Sequence, residues 1–91
     1  MSRGVEKSSR FARMKNNPRD NWRISDIAGV CRDACVTCNP PTGGGSHYKI
    51  SHETQREILT IPAKNPVKPI YIRLLVKFLE NVEGARTRNL S

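Results

Sequence analysis

Aromatic side chains, acids and long apolar runs are all scarce in this sequence, and each shortage narrows what the chain can be. Phe11, Trp22, Tyr48, Tyr71 and Phe78 are the only aromatics in 91 residues. A domain of this size buries only about 60–65% of its unfolded surface, so its core is modest. That leaves room for a site on a sheet face or rim but little for a deep pocket, and no cofactor is expected. No stretch approaches the roughly 18 apolar residues of a membrane span. The basic N-terminus also lacks the apolar segment of a secretory signal. The expectation is a soluble, cytoplasmic protein with no membrane partner. Only eight acids stand against 16 Lys and Arg, and they are scattered. No carboxylate cluster is available to hold magnesium, and no metal site is expected.

The cysteines are few and odd in number, which does not suggest a disulfide framework. Cys31-x3-Cys35-x2-Cys38 has the spacing of an iron–sulfur motif of radical enzymes, but that chemistry is carried on far larger barrel domains. A zinc site with His47 or His52 as fourth ligand is the other sharp reading. A mid-helix Cys31, and no glycine between Cys35 and Cys38 to make a chelating turn, argue against it. The three are expected to be small buried hydrophobes in a reducing compartment.

What the chain has in excess is positive charge, unevenly placed. Residues 1–23 carry seven Lys and Arg against two acids, residues 24–62 three against four, and residues 63–91 six against two. Two basic flanks around a near-neutral middle are the footprint of a protein that meets a polyanion, most often nucleic acid.

Residues 1–21 are polar, basic and poor in hydrophobes, and read as a flexible extension with at most a short helix over 9–15. Trp22 is expected to pack as a lid on the core edge. Ser25 is a good N-cap and Asp26 suits the first turn of a helix over 25–34, on which Ile24, Ile27, Val30 or Cys31, and Ala34 recur at helical spacing. Gly29 weakens that helix by up to about 1 kcal/mol. Small and β-branched residues give a strand over 35–39, closed by Pro40-Pro41. Thr42 to Gly45 is a turn, followed by strands over 46–51 and 57–61, the second ended by Pro62. Tyr48, Ile50, Leu59 and Ile61 are natural partners across that hairpin. Residues 63–68 form a loop, and Pro69 opens a helix over 69–83 whose stripe is Ile72, Leu75, Val76, Leu79 and Val82. Gly84 is the expected stop, with a polar tail over 84–91. The expected fold is α+β, a two-layer α-β-β-β-α sandwich with two helices on one face of a three-stranded antiparallel sheet.

The alternation places His47 and Lys49 together on the free sheet face, directly after three glycines that let a backbone approach closely. Taken alone, an exposed histidine is as readily a plain surface residue. An imidazole with an ordinary pKa near 6.5 exchanges protons at neutral pH. RNA carries its own nucleophile, the 2′-hydroxyl beside each phosphate, so one proton-transferring group and a cation for the developing charge suffice without metal. Lys64, Lys68 and Arg73 are candidates for phosphate contact, although each taken singly is as readily a solvated surface charge. His52, without such neighbours, reads as a loop residue. A non-catalytic RNA-binding module fits charge and fold equally well.

Gly45-Ser46-His47-Tyr48-Lys49-Ile50, then Ile58-Leu59-Thr60-Ile61-Pro62, then Val67-Lys68-Pro69 opening a helix at Tyr71-Ile72-Arg73, resembles the HicA-type toxins, the YcfA-like mRNA interferase family of toxin–antitoxin systems. The resemblance covers about residues 22–83. It implies a double-stranded-RNA-binding-domain-like fold, metal-independent cleavage of mRNA with His47 as catalytic residue, and a HicB-like antitoxin as partner. Residues 1–21, the three cysteines and the long glycine run depart from the motif, but none of these removes His47.

Overall fold

The structure, a computed structural model, describes residues 9–89. The elements run α1 (Ser9–Asn16), α2 (Ile24–Asp33), β1 (Thr37–Asn39), β2 (His47–Ser51), β3 (Leu59–Pro62) and α3 (Pro69–Asn89). The protein is α+β, with three helices among the described residues and an antiparallel sheet in the order β1-β2-β3. No helix among the described residues is long and apolar enough to cross a membrane.

Register explains which face is covered. Tyr48 pairs with Ile61, and Ile50 lies between Cys38 and Leu59. These residues share one face by the two-residue period of a strand. Ile50 and Ile61 are fully buried there, in one core with Ile27, Val30, Ile72, Leu75 and Leu79. The other face carries Thr37, Asn39, His47, Lys49 and Thr60, all exposed.

The N-terminal segment departs from the expected flexible extension. Within residues 9–21, α1 buries Phe11 and Met14 and packs against α3. The turn behind it is held by Trp22, whose indole N–H donates to the Asn17 carbonyl at 2.8 Å. Arg13 stacks over the same ring, 5.1 Å from its centroid. Trp22 itself is buried as anticipated. The first eight residues of the expected extension and the last two of the expected tail lie outside the described residues.

The N-cap of α2 lies two residues before the expected Ser25. Arg23 is the N-cap, and its N–H is taken by the Asp26 carboxylate at 3.0 Å. The Ile24 N–H, another donor that the helix leaves unsatisfied, goes to the Asn65 side-chain oxygen at 2.8 Å. A distant loop residue thus satisfies one of the free donors at the helix start. A Cβ at Gly29 would meet the Arg10 guanidinium, the far end of a long side chain that can move aside. That guanidinium pairs with Asp26 and Asp33, at 3.9 and 3.6 Å.

The strand expected from residue 35 begins only at Thr37, because α2 ends in a Schellman turn. The Val36 N–H donates to the Cys31 carbonyl and the Cys35 N–H to the Arg32 carbonyl. This 6→1, 5→2 pair needs a left-handed residue at the position Cys35 fills, and Cys35 has φ +58°. Cys35 is therefore exposed rather than buried as expected. Glycine occupies that conformation without the Cβ penalty, so Cys35→Gly raises stability by about 0.5–1 kcal/mol. The check is a higher urea midpoint at unchanged m-value.

Gly84 does not stop α3, and the expected tail is helical to Asn89. Ala85 is buried, and the Arg86 guanidinium donates to the Ala34 carbonyl at 2.6 Å. Both interactions form only if the helix continues, and together they outweigh the roughly 1 kcal/mol that an internal glycine costs.

Candidate functional site

Three local features place His47. The turn before it closes with the Gly45 N–H on the Thr42 carbonyl at 2.9 Å, with Gly43 at φ +59°, a conformation that favours glycine. Strand β2 then starts at His47, whose register partner is Pro62. Lys49, two residues on, stands on the same open face between Asn39 and Thr60.

The Ser46 hydroxyl lies 3.1 Å from His47 Nδ1. A hydroxyl both donates and accepts, so it serves either tautomer of the ring. With Nδ1–H donating to Ser46, Nε2 presents a lone pair; with Ser46 donating to Nδ1, Nε2 presents a proton. Gly45, Ser46, His47 and Lys49 line one open depression of about 460 Å³ with Asn39, Pro40, Pro41 and Thr42.

A second depression, of about 230 Å³, is lined by Pro62, Lys64, Pro66, Val67, Lys68 and Tyr71. Pro62 belongs to this second lining and is also the strand partner of His47, so the two depressions are neighbours. The loop that carries Lys64 and Lys68 is pinned by its backbone. Its Ala63 N–H donates to the Ser46 carbonyl at 2.8 Å, and its Val67 N–H to the Trp22 carbonyl at 2.7 Å. The Asn65 side chain, from the same loop, accepts the Ile24 N–H at the start of α2. The two linings together hold His47, Lys49, Lys64 and Lys68 and no carboxylate.

Of the residues singled out by sequence, Gly45, Ser46, His47 and Lys49 meet in one depression and Lys64 and Lys68 in the next. Arg73 lines neither; it is exposed on α3. His52 is also apart from both linings. Its Nδ1 is 2.8 Å from the Thr54 hydroxyl, and its Nε2 is 3.3 Å from Arg86. Among the described residues no group of three or more His, Cys, Asp or Glu is placed to share a metal ion. Asn39, Thr42 and Tyr71 were not singled out, yet they line the depressions. Counting the hairpin register outward from Lys49 reaches Asn39; nothing in the local sequence marks Tyr71.

In comparisons with known proteins, no family model matches the chain, and neither a curated protein nor a solved structure matches it significantly.

Proposed function

We propose that the protein is a HicA-type toxin, a metal-independent endoribonuclease that cleaves mRNA in the cytoplasm with His47 as its catalytic residue. On this reading α2 to α3 form the double-stranded-RNA-binding-domain-like unit, and α1 is an addition packed onto it. The observation that carries the proposal is His47, with Ser46 on its Nδ1 and Lys49 on its own face, in a basic depression without carboxylates.

The chemistry follows from those groups. His47 Nε2 takes the proton of a 2′-hydroxyl, whose oxygen attacks the adjacent phosphorus. The bond to the 5′-oxygen breaks, leaving a 2′,3′-cyclic phosphate and a 5′-hydroxyl. Lys49 stabilises the charge that builds on the phosphate oxygens. Water or Ser46 returns a proton to the leaving oxygen. The natural antagonist is an acidic HicB-like antitoxin that covers this face.

Two experiments bear on this reading. RNA incubated with the protein in excess chelator is expected to be cut; RNA retained intact in a complex points instead to a non-catalytic binding module. Replacing Lys64 or Lys68 by Gln is expected to weaken binding across RNA sequences and to lower the salt dependence by about one counterion each. Filter binding at several salt concentrations measures both effects, and an unchanged slope removes these lysines from the interface.

A further inference from the structure

Two thiols meet beneath the rim of the site. Cys31 sits in the last turn of α2 and is fully buried, while Cys38 is half-buried at the centre of β1 on its core-facing side. The Schellman turn between them folds the chain back, with the Val36 N–H on the Cys31 carbonyl at 2.9 Å, so the strand runs alongside the end of the helix. Cys38 packs against the core cluster that contains Cys31, and the two thiols shift each other's ionisation. Cys35, the third cysteine, points to solvent from the turn itself.

We propose that Cys31 and Cys38 are a reversible redox pair, which hydrogen peroxide converts to an intramolecular disulfide. The Cys38 thiolate attacks one peroxide oxygen; the O–O bond breaks, a sulfenic acid forms, and the released hydroxide takes a proton from solvent as the first water. The Cys31 sulfur then displaces the hydroxyl from Cys38, and its thiol proton leaves with that hydroxyl as the second water. Two thiols are oxidised and one peroxide is reduced to two waters.

The surroundings divide the two roles. Interaction with the Cys31 thiol lowers the Cys38 pKa to about 7, against the opposing effect of burial. The same interaction, with burial, pushes the Cys31 thiol well above the ordinary cysteine range. Cys38 is thus the ionised nucleophile with partial access to solvent, and Cys31 the protected resolving thiol. The next residues, Asn39 and Pro40, line the depression that holds His47. The disulfide therefore fastens the strand at the site's rim to α2. This inference concerns thiol chemistry alone and stands apart from the nucleolytic reading.

The test treats the full chain with stoichiometric hydrogen peroxide, followed by intact mass and a non-reducing tryptic map. The wild type and Cys35→Ser are both expected to lose two hydrogens, reversibly with dithiothreitol, and to link peptide 24–32 to peptide 33–49. Cys38→Ser is expected to lose that fast cross-link. The proposal is overturned by a Cys35→Ser protein that keeps its hydrogens or only gains oxygen. It is equally overturned by a Cys38→Ser protein that cross-links as fast as wild type, which assigns the bond to Cys31 and Cys35. Iodoacetamide alkylation of Cys35→Ser gives a second reading. Cys38, with partial access to solvent, is expected to be alkylated well before the buried Cys31; equal or reversed labelling overturns the assignment of the two roles.

Discussion

Replacing His47 by Ala is expected to lower the rate of RNA cleavage by about 10²–10⁴, the range that a positioned general acid or base supplies. Folding stability should move by no more than about 0.5 kcal/mol, because the side chain is exposed and its hydrogen bond is to the neighbouring, exposed Ser46 hydroxyl. RNA affinity should change little, since Lys49, Lys64 and Lys68 are retained. The variant thus separates catalysis from folding and from binding. The measurement is single-turnover cleavage of a labelled RNA, with binding followed in parallel. A His47→Ala protein that cuts at the wild-type rate removes the residue from the chemistry.

The largest expected effect on stability comes from a residue in the segment that reads as an extension. Phe11 is 3% exposed, in one core with Met14 and Trp22. Phe11→Ala is expected to cost about 3–5 kcal/mol, because the lost transfer energy is joined by a cavity that a small core cannot close. That is a large share of the roughly 5–15 kcal/mol of a typical domain. The ion pair between Lys15 and Glu80, at 2.6 Å, also ties α1 to α3, but its side chains are 57% and 39% exposed. Such pairs contribute about 0–1 kcal/mol, so apolar burial and not charge holds the helix in place. Urea unfolding of Phe11→Ala and Lys15→Ala distinguishes the two contributions. A Phe11 variant as stable as wild type shows α1 to be dispensable.

The parts of the fold that the sequence made legible are those where one period dominates. Ile72, Leu75, Val76, Leu79 and Val82 repeat at helical spacing and all are buried on α3. The alternation over 47–50 and 59–61 gives the hairpin register, with Tyr48 opposite Ile61. It also puts His47 and Lys49 on the exposed face. Where a tertiary contact decides, the local pattern was insufficient. Helix α1 has only two buried residues in eight, too sparse a stripe to distinguish from a polar tail. The end of α2 is a turn that usually advertises itself with glycine, and here cysteine stands in its place. One N-terminal donor of α2, the Ile24 N–H, is satisfied by Asn65, 41 residues away in the chain.

The candidate site divides in the same way. Gly45 through Lys49 are consecutive, and strand geometry alone assembles them. Lys64 and Lys68 were visible only as loop charges. The hydrogen bond from Ala63 to the Ser46 carbonyl sets their loop beside His47, and no sequence spacing reveals it. Arg73 looked equivalent to those lysines, but its position on α3 takes it out of both linings.

The chemistry at His47 is tested most directly by the ends of the RNA fragments produced in excess chelator. Attack by RNA's own hydroxyl leaves a 2′,3′-cyclic phosphate on one fragment and a 5′-hydroxyl on the other, and a substrate with 2′-deoxyribose at the cut site is bound but not cleaved. Fragments with 5′-phosphate ends, cleavage of the deoxy substrate, or RNA recovered whole would each contradict the assignment.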